Sequence, residues 1–110
     1  MEDSILNTIK PLLGVDVEYE AFDAEIIAGI NSALMAIAQV GVGTPGFCIT
    51  GATETWGQFL EGRTDLKAVV TYVQLKTKLI FDPPEASSAT TAITDILKEY
   101  EWRLHEQAKE

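Results

Sequence analysis

Cysteine, histidine and basic residues are scarce in this chain, and each scarcity excludes something. The one cysteine, Cys48, cannot close an internal disulfide, which fits a reducing compartment. A cysteine nucleophile needs a base beside it, and the one histidine, His105, falls near the end of the last predicted helix; both are read as structural or incidental. No lysine or arginine occurs between Lys10 and Arg63, and the formal net charge of -9 opposes tight binding to a phosphate backbone. No apolar run approaches the ~18 residues of a membrane span. The stretch Met1-Glu2-Asp3-Ser4 is acidic where a secretory signal is basic, so export by that route is not expected.

Ligand and metal motifs are missing as well. Gly41-Val42-Gly43 lacks the third glycine and the preceding strand of a nucleotide fingerprint and reads as a helix stop. Asp16, Glu18 and Glu20 alternate like hard-metal ligands, yet the glycine and terminal glutamate of a calcium loop are absent at the required offsets. Carboxylates are plentiful, but no pair sits in an apolar surround that would raise a pKa. The expectation is no catalytic residue, no metal and no cofactor.

What is present is helical periodicity over 110 residues, enough for one domain that buries roughly 65% of its unfolded surface. Ser4 followed by Ile5, Ile9, Leu12 and Leu13 predicts a short first helix closed by Gly14, kinked or broken near Lys10 because Pro11 removes a donor. Asp23 as N-cap, Glu25 in the first turn and Gly41 as stop delimit a second helix, about 23–40, with Ile27, Ile30, Leu34 and Ile37 as its stripe. Its alanines leave room for another helix to approach closely.

Glycine, proline and threonine then interrupt the pattern, and Phe47-Cys48-Ile49-Thr50 alternates as a strand does. This predicts a short β-hairpin or extended, exposed arm over about 43–56, followed by one helical turn started by the capping box Thr55-x-x-Gln58. From Asp65 to Phe81 the chain is apolar around most of a helix, relieved by one polar strip of Lys67, Thr71, Gln74 and Lys78, and this is the expected central helix. Pro83 and Pro84 end it, and Asp82, Ser87 or Ser88 can cap the next. The last helix carries Ala89, Ile93, Ile96, Leu97, Tyr100 and Leu104 as its stripe. The expected fold is mainly α, a small bundle of about four helices with a β-hairpin or extended arm between the second and third main helical regions, all within one domain, residues 1–110.

Trp102 falls off the last stripe, among Glu99, Glu101 and Arg103. It is either buried against the domain's own loops or placed for contact with another subunit.

The segments AEIIAGINSALMAIAQVGVG, TETWGQFL, TYVQLKTKLIFDPP and EYEWRLHEQ, in this order and spacing, resemble the small head-tail connector proteins of long-tailed phages and prophages, the head-completion adaptors that dock below the portal. The resemblance runs from about Ile5 to Gln107. It implies a compact, non-enzymatic helical domain with a protruding loop. It further implies a virion protein at the head-tail interface, present in the host bacterial cytoplasm during assembly. The implied partners are other copies of itself in a ring, for which a dodecamer is one size, the portal, and tail-side connector proteins. DNA would pass through the ring without specific binding, and no membrane is involved. The alternative is a small helical regulatory module that binds a single protein partner through the same arm.

A ring needs two different faces of one subunit to meet. The charge asymmetry suggests the acidic segment, with Asp16, Glu18 and Glu20, against Arg63, Lys67 and Lys78 of the next subunit. The remaining expected contacts are Phe47, Ile49 and Trp56 on the arm and Trp102 on the last helix.

Overall fold

The computed structural model describes residues 3–109, and among these are five helices: α1 (Ile5–Leu12), α2 (Asp23–Ala38), α3 (Trp56–Leu60), α4 (Ala68–Phe81) and α5 (Ser87–Ala108). The mainly helical expectation holds. The two central helices, α2 and α4, run antiparallel: Phe22 before α2 meets Phe81 at the end of α4, and Gly29 faces Thr77. A methyl group placed on Gly29 would lie 3.0 Å from the Thr77 Cγ2, so the small residue sets how closely the helices approach. Helix α5 folds back along α4, with Tyr72 bonded to Glu101, and α1 packs on both α2 and α4. Ile5, Ile9, Ile30, Leu34, Ile37, Phe59 and Tyr72 are fully buried at the centre.

Local chemistry sets several boundaries as expected. The Ser4 hydroxyl accepts from the Asn7 amide at 3.2 Å and starts α1. The capping box forms in full: Gln58 N–H donates to Thr55 Oγ1, and Thr55 N–H donates to Gln58 Oε1. Helix α4 ends at Phe81, directly before Asp82 and the two prolines.

Four expectations are corrected. Pro11 does not break α1, which continues to Leu12. Proline removes one donor only in the last turn, and Asn7 and Pro11 are both exposed, so that side of the helix faces water. Asp23 is not an N-cap: Phe22 holds that position without a side-chain bond, and the Asp23 carboxylate pairs with Lys10 instead. Helix α5 likewise begins after Ala86 with no capping side chain from Asp82, Ser87 or Ser88.

The fourth correction concerns the arm. No β-hairpin forms over 43–56; among the described residues the one β-type pairing is an isolated bridge between Ser4 and Thr55. Gly41, Gly43 and Gly46 all take positive φ and keep turning the chain. Ile49 finds its partner in a side chain rather than a strand. The Asn31 amide donates to its carbonyl at 3.0 Å and accepts from its N–H at 2.7 Å, so both backbone groups are satisfied without a second strand. The segment is thereby laid against α2 rather than projected from the bundle.

Candidate assembly surfaces

Helix α1 is buried along Ile5, Leu6 and Ile9, and the fourth buried residue on that helix is a lysine. Lys10 is 1% exposed, and its ammonium donates to the carbonyls of Val17 at 2.9 Å and Tyr19 at 2.7 Å and forms an ion pair with the Asp23 carboxylate at 2.6 Å. A buried charge is tolerated only when it is paired and hydrogen-bonded, and this one has a carboxylate beside it and two carbonyl acceptors. Lys10 thus anchors the acidic loop from beneath, and Asp16, Glu18 and Glu20 stay exposed on its rim. The sequence signal was the single cation on an otherwise apolar helix face ahead of a run of acids.

The same loop orders aromatic rings at the surface. Tyr19 meets Phe22 edge-on with centroids 5.5 Å apart, and Phe22 meets Phe81 edge-on at 5.4 Å. Tyr19 is 51% exposed and Phe22 39%. Val17, Leu12 and Ile80 are exposed nearby in the chain.

The other end of α2 carries a second surface. An open groove of about 430 Å³ is lined by Gln39, Val40, Lys98, Glu101, Trp102 and His105. Trp102 is 66% exposed, so the off-stripe tryptophan is not buried by its own loops. His105 Nδ1 is hydrogen-bonded to the Val40 carbonyl and joins α5 to the end of α2. Glu101 accepts from the Tyr72 hydroxyl at 2.6 Å; burial first, then this carboxylate, hold the phenol well above its ordinary range.

The expected contact residues divide among these places. Ile49 and Trp56 are 2% and 0% exposed, so both belong to the core and present nothing to a partner on the folded surface. Phe47 is half-buried against Phe59, with centroids 5.5 Å apart. Arg63 grips Asp65 at 3.0 and 2.6 Å, holding that carboxyl below its ordinary range, and donates to the carbonyls of Gln107 and Ala108 at the end of α5. Lys67 is exposed just before α4, while Lys78 lies at the other end of that helix, 3.8 Å from Asp82. The strip of lysines therefore does not form one patch. Lys78 shares its end of the molecule with the acidic loop.

Cys48 is exposed beside a shallow hollow of about 260 Å³ lined also by Asn31, Ser32, Met35, Gly46 and Phe47, none of which is a base that would activate a thiol. Among the described residues no group of three or more His, Cys, Asp or Glu side chains is arranged to hold a metal ion, and no helix is long and apolar enough to cross a membrane.

Comparison with known proteins agrees with a structural role. A family model described as phage connector protein matches residues 5–110. No curated protein and no solved structure matches the chain. A match of this extent establishes that the chain belongs to the phage connector protein family, a family of structural phage proteins.

Proposed function

We propose that this protein is a non-enzymatic adaptor of the virion. It forms a homo-oligomeric ring between the portal of the head and the tail, assembled in the host cytoplasm. The observation that carries the reading, beside the family, is that one subunit exposes two unlike contact surfaces at opposite ends of α2: the Tyr19–Phe22–Phe81 ladder and the Trp102 groove. Two unlike faces are what a heterologous, closing interface requires. The surface composition supports passage of DNA without capture, because among the described residues exposed carboxylates outnumber exposed lysines and arginines and repel phosphates. Phe47 and the loop around it, at the side of α2, are the proposed seat for the portal or a tail-side connector protein.

The test is electron microscopy of lysates from the parental phage with this gene disrupted. Filled heads and free tails that never join are the expected result. Intact infectious particles would overturn the reading and leave a helical module that binds one protein partner.

A further inference from the structure

We propose that the aromatic ladder of one copy, Tyr19 with Phe22 and Phe81, seats in the Trp102 groove of the next copy. This rests on the ring reading above and names the two halves of its subunit contact. Both halves are incomplete in the single chain. Among the described residues Trp102, 66% exposed, is the most exposed of the large apolar side chains, and it walls a groove that its own subunit leaves open. Tryptophan and tyrosine anchors in desolvated pockets dominate interface energetics, so an ordered pair of such surfaces points to burial elsewhere. The ladder is already ordered before contact. Tyr19 is held through its carbonyl by Lys10, and Phe22 is wedged between Tyr19 and Phe81, so little further freedom is lost on docking.

Charge favours the same pairing. The ladder's Tyr19 lies in the same loop as the exposed carboxylates of Asp16, Glu18 and Glu20. In the groove the carboxylates are occupied within their own subunit, Glu101 by Tyr72 and neighbouring Glu99 by Arg103. Lys98 is exposed there and makes no ion pair among the described residues. An acidic loop over an unpaired lysine steers the approach and fixes its register.

Geometry keeps the two surfaces apart. The ladder begins before Asp23 and the groove lies past Ala38, so about 24 Å of α2 stands between them and one copy can offer both surfaces at once. Lys78, by contrast, lies at the ladder's own end, 3.8 Å from Asp82 of its own subunit, so it offers no second surface away from the acidic loop.

The experiment supplies the gene in trans to phage that lacks it and cross-links assembled particles with a short bis-maleimide. The chain carries Glu18→Cys and Lys98→Cys in a Cys48→Ser background. The expected result is a ladder of multimers beyond the dimer, absent from each single-cysteine control, and reduced about tenfold when Trp102→Ala is added. Particles that contain the chain but give no ladder overturn the pairing and leave the ring reading standing. A ladder undiminished by Trp102→Ala overturns the role of the groove. Particles that form without the chain overturn the ring reading together with the pairing.

Discussion

The ammonium of Lys10 lies 2.6 Å from the carboxylate of Asp23, with only 1% of the lysine side chain exposed, and this pair joins α1 to the start of α2 beneath the acidic loop. Replacing Lys10 by methionine keeps the volume and removes all three donors. The carbonyls of Val17 and Tyr19 lose their partner and Asp23 keeps a partly buried charge, so a loss of about 2–4 kcal/mol is expected by urea denaturation. Limited proteolysis should move into residues 15–22 well before the core opens. A change below about 0.5 kcal/mol with the loop still protected would refute the anchoring role.

Two glycines with nearly the same backbone should respond differently. Gly43 has φ of 82°, and a Cβ there would lie 2.2 Å from the Phe59 ring; Gly46 has φ of 79° and open space around it. Gly46→Ala meets only the backbone preference, about 1 kcal/mol, whereas Gly43→Ala must also displace a buried ring and should destabilise by about 2–4 kcal/mol. Equal midpoints in thermal melts of the two variants would contradict this packing.

Tyr72 gives an alkaline signature. Burial and the Glu101 carboxylate raise its phenol above the ordinary 10.0, so the folded state holds the proton more tightly than the unfolded one. The stabilisation is complete below pH 10 and is lost as pH rises through the folded value. Tyr72→Phe should cost about 1–2 kcal/mol at neutral pH through the lost hydrogen bond. It should also flatten the loss of stability above pH 10, read from denaturation midpoints across that range. A variant that keeps the wild-type alkaline slope would assign the slope to another group.

Glu54 gives the opposite sign. Slight desolvation pushes its carboxyl up, but hydrogen bonds from the Thr50 N–H and hydroxyl, both 2.9 Å, together with Gly51 outweigh it and hold the group below its ordinary 4.5. The contribution is present above that value and fades as pH falls below it. Glu54→Gln should remove this acid-side dependence, with a loss under about 1 kcal/mol at pH 7 because the site is open to water. An unchanged acid limb in the melting profile would argue against the bonded carboxylate.

The two tryptophans report separately. Trp56 is fully buried and Trp102 is 66% exposed, so Trp102→Phe should remove most of the emission that acrylamide can quench, while Trp56→Phe should leave that fraction nearly intact. Quenching lost in the Trp56 variant instead would exchange their environments.

Periodicity and punctuation by themselves determined the helical class, the end of α4 before Pro83 and the capping box at Thr55 and Gln58, because each depends on residues within one or two turns of one another, whereas Trp102 was left between burial and exposure until the fold showed it 66% exposed. The local words of the chain also carried its family. What only the tertiary structure decided involves partners far apart in sequence. Alternation at 47–50 reads as a strand, yet the Asn31 side chain, 18 residues away, supplies the bonds a strand would need and turns Ile49 into the core. Pro11 and Lys10 read as a break, yet Lys10 is buried by oxygens from residues seven to thirteen positions on. Lys67 and Lys78 read as the two ends of one polar strip along the central helix, and it is the fold that brings the acidic loop beside the Lys78 end. Local chemistry can name an element, but where its faces point is settled by which distant groups satisfy its polar atoms and cover its apolar ones.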